Sequence, residues 1–360
     1  MKRVALTPQT FFFALPDIAP IAVFRSHISK YLILLTAMKV NVQRFTVPFV
    51  SIIIPVYNEE KFVSACLESL SDMDYPKDAF EIIVIDNGST DNTVAICKEH
   101  TSSVLVCPDV NVSEMRNIGV SKAKGEILAF LDGDCTVDKN WLRAAIGSLE
   151  MDTCITGADC DMSPHANWLE KTWVSHIKRK GRGEVSHIGT ANMIVAAEVF
   201  RKIGGFDSRL QTGEDYEFSV RARSVAKIMS DDRIRVRHLG NPKTIIQFMR
   251  REMWHGLGAF GSLKSQLVDK PLIGTILFSV LFFSQIISVL AWISGGSAFG
   301  FIGSSAGMLG LLLATVMHRY RQVADPLHAF RLILLYYMYY LARSISVFCL
   351  LFRIRIIRKR

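Results

Sequence analysis

The sequence predicts a doubly wound α/β domain with a mostly parallel sheet, followed by helices that cross a membrane. Short apolar runs of strand length alternate with amphipathic segments through residues 50–131, and such alternation is typical of βαβ units. The remaining excess of apolar residues lies after Pro271. Over 360 residues the hydrophobic share is 50% and the mean hydropathy is +0.26, so we expect part of the chain to meet lipid.

Strands and helices alternate strictly through the first half of the chain. The strands are β-branched or apolar runs, which suits a sheet buried on both faces. The helices carry apolar residues at helical spacing or begin with capping residues. The predicted strands cover residues 50–55, 81–85, 104–106 and 127–131, and the predicted helices cover residues 61–71, 92–100 and 112–123.

Two acids with one residue between them follow the fourth predicted strand. Asp132 and Asp134 come directly after the apolar run at residues 127–131, and open α/β sheets bind ligands at that end of their strands. A shared cation relieves the repulsion between two carboxylates, and hard oxygen ligands suit Mn²⁺ or Mg²⁺ with phosphate oxygens. The alternative is a surface Asp-Gly turn, and the surrounding motifs have to decide between a metal site and such a turn.

Four polar motifs follow the predicted strands in a fixed order. They are Pro55-x-Tyr57-Asn58-Glu59, Asp86-Asn-Gly-Ser-Thr-Asp91, Arg116-Asn117-x-Gly119 and Asp132-x-Asp134. In this order and context the chain resembles the family 2 inverting glycosyltransferases, whose GT-A fold is a Rossmann-like nucleotide-sugar domain. The resemblance implies a GT-A domain at residues 49–262 and a nucleotide-sugar donor.

The resemblance also implies nucleotide-binding roles. In the family, the residue matching Asp86 accepts the N3–H of uracil, which indicates a UDP-sugar. Arg116 has a planar fork that suits a diphosphate or the uracil edge. A turn aspartate and a solvated helix arginine are the respective alternatives. The other residues expected to contact the nucleotide are Pro55, Tyr57, Glu59 and Asp132, with Tyr57 as a plain packing residue the alternative.

A divalent cation is the expected cofactor. Asp134, supported by Asp132, would hold Mn²⁺ or Mg²⁺ against the diphosphate oxygens, so that the metal acts as a Lewis acid on the leaving group. His238 lies where many relatives carry a histidine near the metal, and we expect it to be a further ligand or a diphosphate contact. A structural histidine is the alternative.

Glu214 and Asp215 match the family's Glu-Asp catalytic motif. Asp215 is the candidate general base that takes the proton of an acceptor hydroxyl, and Glu214 would orient Asp215 or the acceptor. Direct in-line attack with one base implies inversion at the anomeric carbon. The alternative is a pair of acids that favours a helix N-terminus. Because a polyprenyl phosphate needs no deprotonation, Asp215 favours a hydroxyl acceptor and leaves a polyprenyl-phosphate glycosyltransferase as the other enzyme candidate.

Further matches indicate the sugar and acceptor pocket. Residues 189–193 and 204–207 match the pocket-forming part of the family, and residues 247–251 partly match the Gln-x-x-Arg-Trp signature of processive synthases. Its tryptophan is displaced by three residues, which argues against processive synthesis. The expected pocket residues are Asn192, Gly205, Phe206, Arg250 and Trp254.

The end of the chain, residues 263–360, is predicted to be a membrane domain. Residues 272–293 and 299–317 are each long enough to cross roughly 30 Å of hydrocarbon. Basic residues flank this hairpin on both sides, so the positive-inside rule predicts a cytoplasmic catalytic domain on the inner cell membrane. Residues 332–352 form a third membrane or interfacial helix, in which Arg343 has to face protein or lipid phosphates.

The net charge limits the classes of binding partner, and the cysteine content indicates the compartment. The net charge is +9, but the basic residues flank apolar segments and no nucleic-acid motif accompanies them, so we expect membrane lipids and no nucleic acid. Residues 1–48 read as an amphipathic membrane-surface segment, with a short N-terminal span left open. Seven cysteines show no CxxC pair, which indicates a reducing compartment.

The sequence therefore predicts a membrane-bound inverting glycosyltransferase that builds a cell-surface polysaccharide or glycolipid. Its acceptor would be a hydroxyl of a lipid-linked or cell-surface glycan. An alternative of another class is a non-catalytic, sugar-binding scaffold on a transferase fold.

Overall fold

The computed structural model of the protein describes residues 47–149, 153–177, 179–264, 270–320 and 325–352. The predicted amphipathic segment at residues 1–48 lies outside these ranges except for its last two residues, as do the basic residues after position 352. Expectations about both segments stay predictions.

Eleven strands and eleven helices follow one another in the described part of the chain. The strands are β1 (Val50–Val56), β2 (Phe80–Asp86), β3 (Val104–Val106), β4 (Ile127–Leu131), β5 (Cys135–Val137), β6 (Thr153–Gly157), β7 (Asp161–Met162), β8 (Arg182–Glu184), β9 (Asn192–Ala196), β10 (Lys227–Asp231) and β11 (Val236–His238). The helices are α1 (Val63–Ser71), α2 (Thr93–His100), α3 (Val112–Lys122), α4 (Trp141–Ser148), α5 (Trp168–Ile177), α6 (Ala197–Ile203), α7 (Glu214–Ala222), α8 (Ile245–Lys264), α9 (Lys270–Ile293), α10 (Phe299–Tyr320) and α11 (Pro326–Leu351).

The central sheet has eight strands in the order β3-β2-β1-β4-β9-β6-β10-β8. Strands β1 to β4 are parallel to one another, as predicted, so their carboxyl ends meet along one edge. β9 lies antiparallel between β4 and β6 and sets Asn192 opposite Leu131. The predicted α/β fold class with a mostly parallel sheet is confirmed.

Side chains of β1 alternate between two hydrophobic cores on opposite faces of the sheet. Ile52 and Ile54 belong to a core that includes Trp141 of α4. Ile53, between them, belongs to a second core that includes Phe130 of β4. This period of two on a strand buried on both faces explains why the sequence of β1 is apolar without interruption.

Phe130 is expected to be one of the main contributors to stability. Its side chain has no exposed surface, and its ring centroid lies 5.5 Å from that of Phe200 and 5.1 Å from that of Phe206. Phe130→Ala should lower the free energy of unfolding by about 3–5 kcal/mol, because buried area is lost and a cavity remains. Denaturant unfolding of the full chain measures this loss. Val106→Ala, at a side chain that is 53% exposed, is the control, and an equal loss in both variants would contradict the core position.

A smaller sheet in the order β5-β11-β7 begins directly after Asp134. β5 and β11 are antiparallel, and their register sets His238 opposite Cys135. Because directly opposed residues in such a pair have neighbouring side chains, this register brings a distant histidine beside the Asp-Gly-Asp turn.

Three helices in the described part of the chain are long and apolar enough to cross a membrane, judged by length and composition. The first two agree with the predicted spans at residues 272–293 and 299–317, and Gly295, with a left-handed φ of 87°, lies in the turn between them. The third begins before the predicted residue 332. The candidate spans are Pro271–Ile293, Phe299–His318 and Pro326–Leu350.

Helix α8 joins the globular and apolar parts of the chain. The predicted domain boundary at residue 262 falls inside this helix, which continues to Lys264. Near its start, the ring of Phe248 packs against Trp173 of α5 with centroids 4.8 Å apart, and Trp173 packs against Tyr336 of α11 at 5.3 Å. The two parts therefore share an aromatic core.

Arg343 of α11 faces protein, which is one of the two arrangements expected for it. Its Nη2 lies 3.5 Å from Glu252 Oε2 of α8, and its guanidinium lies over the ring of Tyr339 at 4.4 Å. A charge inside an apolar helix is tolerated when it is paired in this way.

Candidate active site

The carboxyl ends of β1 and β4 lie side by side and present the first candidate acids. Gly133, between Asp132 and Asp134, packs so closely on β1 that a Cβ there would lie 2.7 Å from Val56 Cγ1. A larger residue would push the strand ends apart. Strand packing therefore requires the glycine of the Asp-Gly-Asp turn, and the two aspartates of the turn provide the carboxylates.

The loops after β1 and β2 are tied together by hydrogen bonds. Asn58 N–H donates to Ser89 Oγ at 2.9 Å, and Thr90 N–H donates to Asn58 Oδ1 at 2.8 Å. Glu59 N–H donates to Thr93 Oγ1 at 2.7 Å. Two of the four motifs thus form one rigid rim at the edge of the sheet.

The nucleotide-binding candidates on this rim lie in different environments. Pro55 and Glu59 are buried, whereas Tyr57 is partly exposed. Asp86 has no exposed surface, and its carboxylate accepts two backbone N–H groups of the turn that follows, both at 2.9 Å. Asp86 serves this turn in the structure, and its contact with uracil stays a prediction.

Arg116 links the acids of two separate motifs. Its Nη2 donates to Asp132 Oδ1 at 2.8 Å, and its Nη1 donates to Glu214 Oε1 at 2.6 Å. The Arg116 side chain is only 3% exposed, so both ends of the fork are occupied inside the protein. The two ion pairs hold the Asp-Gly-Asp turn and the Glu-Asp motif in one cleft, and the contact of Arg116 with the diphosphate or the uracil edge stays a prediction.

Asp215 lies next to this ion pair at the start of α7, and its Oδ1 accepts the Tyr216 N–H at 2.7 Å. Burial raises the pKa of Asp215 and the charge of Asp132 acts in the same direction, against the lowering effects of the Tyr216 N–H and Arg116. Burial likewise raises the pKa of Glu214, against the attraction of Arg116. A carboxylate with a raised pKa is a stronger base than an ordinary aspartate, which suits proton removal.

Among the described residues, Asp134, Cys135 and His238 form a group whose ligand atoms all lie within 4.8 Å of one another. Asp134 Oδ1 is 3.6 Å from His238 Nε2, and a carboxylate with an imidazole suits Mn²⁺. A hydrogen bond with Cys160, together with burial, raises the pKa of the Cys135 thiol well above its usual range. Mn²⁺ and Mg²⁺ prefer oxygen ligands to the softer sulfur of a cysteine, so Asp134 and His238 are the side chains in this group that best fit such a cation.

The segment around His238 is held firmly against Asp134. Leu239 N–H donates to the Asp134 backbone oxygen at 2.8 Å, and a Cβ at Gly240 would lie 2.1 Å from Asp134 Oδ2. Asp132 lies outside this group of ligand atoms, because its carboxylate pairs with Arg116. Its predicted metal role stays a prediction.

Three predicted pocket residues serve the interior of the domain. Asn192 Oδ1 accepts from Trp141 Nε1 at 2.9 Å, its Nδ2 donates to the Ile234 oxygen at 2.8 Å, and no surface of the residue is exposed. Phe206 lies in the second core, and Gly205, with a left-handed φ of 71°, follows the end of α6. Both Asn192 and Phe206 are buried in the structure, and their place in a sugar or acceptor pocket stays a prediction.

Helix α8 turns Arg251, and not Arg250, toward the metal-site end of the cleft. Arg250 is exposed and Trp254 is half-buried, whereas Arg251 Nη1 donates to Asn241 Oδ1 at 3.2 Å. Burial lowers the pKa of Arg251, and nearby carboxylates, including that of Asp134, oppose this. The Gln-x-x-Arg-Trp comparison identified Arg250, because a motif match does not reveal which side of the helix faces the cleft.

The wall beside Asp215 is formed by the loop before β9. A Cβ at Gly189 would lie 3.6 Å from Asp215 Oδ2, and the His187 ring packs edge-on against Tyr216 with centroids 5.5 Å apart. Arg179 Nη1 donates to the His187 oxygen at 3.0 Å. His187 and Arg179 belong to none of the motifs above, so nothing in the sequence singled them out.

Arg116→Met should destabilise the protein strongly. The substitution leaves the buried carboxylate of Glu214 and the partly exposed carboxylate of Asp132 without their cation, and breaking a buried pair such as the one with Glu214 costs about 3–5 kcal/mol. Denaturant unfolding at neutral pH measures the loss. Arg201→Met, at an exposed position of α6, should change the free energy of unfolding by less than about 0.5 kcal/mol. If the two variants are equally stable, the ion pairs do not hold the cleft together.

Comparisons with known proteins agree with the ordered motifs. The profile of Glycosyl transferase family 2 matches residues 51–204. Glycosyltransferase AglE of Haloferax volcanii is 31% identical over 188 residues, which are 49% of this chain and 62% of AglE. A Methanococcus voltae relative, named Dolichyl N-acetyl-alpha-D-glucosaminyl phosphate 3-beta-D-2,3-diacetamido-2,3-dideoxy-beta-D-glucuronosyltransferase, is 51% identical over 51 residues, 14% of this chain and 16% of that protein. The chain thus spans less than two thirds of either relative.

A solved structure resembles the whole fold. Mannosyltransferase PcManGT from Pyrobaculum calidifontis, in complex with GDP-Man and Mn²⁺, has a TM-score of 0.55 and 16% sequence identity, and the similarity covers 91% of this chain and 96% of that one. At this identity the likeness concerns the fold alone. The profile match and the motif order agree that residues 51–204 are similar to glycosyl transferase family 2, and the domain that contains them has the GT-A fold.

Proposed function

We propose that the protein is a membrane-bound inverting glycosyltransferase that transfers a sugar from a UDP-sugar to a hydroxyl of a lipid-linked or cell-surface glycan. The observation that carries the proposal is the pairing of Arg116 with both Asp132 and Glu214. This pairing joins the donor side and the acceptor side of the reaction in one cleft, which a scaffold protein would have no reason to keep.

The donor side would bind the nucleotide and the cation. Asp134 and His238 are the residues that would hold Mn²⁺ or Mg²⁺, which when bound supplies charge stabilisation for the departing diphosphate. Tyr57 is partly exposed on the adjoining rim and is available to contact the nucleotide. The choice of uridine rests on Asp86, which matches the family position for the uracil contact.

The acceptor side would carry the proton transfer. Asp215 takes the proton of the acceptor hydroxyl as its oxygen attacks the anomeric carbon from the face opposite the diphosphate. The bond to the diphosphate oxygen breaks and the diphosphate leaves with the electron pair, so the configuration inverts. Glu214 is held at 2.6 Å by Arg116 and keeps the start of α7 in place. The raised pKa of Asp215 supports a hydroxyl acceptor over a phosphate, which needs no base.

The apolar helices support a reaction at a membrane. Three helices have the length and composition of spans, and by the positive-inside rule we place the catalytic domain on the cytoplasmic side of the inner membrane. The name of the Methanococcus voltae relative includes a dolichyl phosphate, which favours a lipid-linked acceptor for this chain too.

The test is donor binding and cleavage by the full chain purified in detergent. With Mn²⁺ present, a UDP-sugar should raise the melting temperature, since a ligand at about a hundred times its Kd adds roughly 2.7 kcal/mol to stability, and UDP should be released slowly. GDP-sugars are the matched controls. Transfer to polyprenyl phosphates alone would establish the other enzyme candidate. If no nucleotide sugar is bound or cleaved, the scaffold interpretation is correct.

A further inference from the structure

A charged residue lies within the third apolar helix, where a charge is costly. The Arg343 side chain is 15% exposed, and its closest carboxylate oxygen, Glu252 Oε2, is 3.5 Å away. Ionisable residues inside apolar helices are usually retained for a function, with a partner that can be named. Here the partner belongs to α8, which also carries Arg251 on the cleft side.

Polar contacts continue from this pair to the metal-site residues. Glu252 Oε1 lies 3.6 Å from Arg251 Nε, and Arg251 Nη1 donates to Asn241 Oδ1 at 3.2 Å. Asn241 Nδ2 then donates to the backbone oxygen of His238 at 3.3 Å. The contacts are 3.2 to 3.6 Å long, so a continuous series of ion pairs and hydrogen bonds connects α11 to the backbone of the histidine beside Asp134.

Stability alone does not account for this series. Apolar replacement of a buried ion pair or triad is often neutral or stabilising, and the best-attested use of such groups is to fix the register of packed elements. Glu252 is buried between two guanidiniums. Ser346 Oγ donates to the Met253 oxygen at 2.6 Å, and a Cβ at Gly256 would lie 2.7 Å from Ser346 Oγ. Helices α8 and α11 are therefore locked in one register, and that register sets the position of Arg251.

We propose that Arg343 is a positioning residue that acts through Glu252 to hold Arg251 at the metal-site end of the cleft, where Arg251 contacts the donor diphosphate. Arg343 itself touches no substrate. The inference rests on the proposed function, because Arg251 has a diphosphate to contact only if the cleft binds a nucleotide sugar. If this is so, donor binding depends on how the third apolar helix, α11, packs against α8.

The test is a double-mutant cycle in the full chain, purified in one detergent, with donor KM and kcat measured by UDP release in the presence of Mn²⁺. Arg251→Met and Arg343→Met should each raise the donor KM about tenfold, and the double variant should be little worse than Arg251→Met alone, because coupled residues are not additive. Arg343→Lys keeps the charge and should recover part of the loss. Arg331→Met is the matched control, since Arg331 lies on the same helix over the Trp168 ring at 5.8 Å and outside the series.

Each outcome is decisive. If Arg343→Met matches Arg331→Met, or if the losses of Arg251→Met and Arg343→Met multiply, the positioning role is refuted while the proposed function stands. If the wild type neither binds nor cleaves a nucleotide sugar, both proposals fail. Should Arg343→Met not fold, Arg343→Lys and the double variant Glu252→Gln/Arg343→Met replace it, and the same criteria apply. The double variant removes both charges of the pair at once. For both replacements, we expect the effect on the donor KM to be non-additive with that of Arg251→Met.

Discussion

Asp134→Asn should lower metal-dependent cleavage of the nucleotide sugar on the order of 10³-fold. The substitution removes a carboxylate that lies beside His238, with 3.6 Å between Asp134 Oδ1 and His238 Nε2. A weakly held cation no longer stabilises the diphosphate, and charge stabilisation of this kind amounts to several kcal/mol, where about 4 kcal/mol corresponds to that loss of rate. UDP release across a Mn²⁺ titration measures the effect.

We expect Asp134→Asn to fold normally, so that a loss of activity can be attributed to weaker metal binding. The electron paramagnetic resonance signal of free Mn²⁺ reports binding without reference to activity, and Asp134→Asn should bind the ion more weakly. Asp78→Asn, at an exposed position, should leave both readouts unchanged. Activity that survives in Asp134→Asn with wild-type Mn²⁺ affinity would remove Asp134 from the metal site.

Asp215→Asn should reduce transfer to the acceptor by about 10² to 10⁴-fold, the usual contribution of a general base. The amide cannot accept the proton of the acceptor hydroxyl. Because Asp215 is separate from the Asp134 and His238 pair, binding of Mn²⁺ and donor should persist. The measurement is kcat for transfer together with the Kd of the donor. Glu198→Gln, at an exposed position on α6, is the control.

The pH dependence gives a second test of Asp215. Burial raises its pKa, and the base works only when deprotonated, so the acid limb of kcat/KM should lie above the pH at which an ordinary aspartate titrates. Asp215→Asn should abolish that limb. If the residual activity of Asp215→Asn keeps the wild-type limb, another group is the base.

The strands and the hairpin of apolar helices could be predicted because each depends on a local pattern. The apolar runs at residues 104–106 and 127–131 coincide with β3 and β4, and helix α3 ends one residue before its predicted end. β9 was not predicted as an antiparallel strand between β4 and β6, because strand order depends on pairings between distant residues. The early start of α11 at Pro326 follows from the proline at its first turn, which is a favoured position for proline.

The site was predictable in its residue types but not in the directions of its side chains. The strand pattern placed Asp132 and Asp134 at one cleft, because carboxyl ends of parallel strands meet at one edge, and the family resemblance added Asp215 to it. Nothing local shows that the fork of Arg116 pairs with both Asp132 and Glu214, or that the amide of Asn192 forms its hydrogen bonds inside the core. These contacts depend on which polar groups the tertiary fold buries, because buried polar groups require hydrogen-bond partners.

The aromatic contacts between α5, α8 and α11 bear on how the protein can be produced. A soluble fragment cut at residue 262 would keep Trp173 and Phe248 but lose Tyr336, which packs on Trp173 at 5.3 Å. Two large rings would then face water, and uncovered patches of this kind promote aggregation. Expression of the globular part without the three apolar helices would therefore require polar replacements at those two positions.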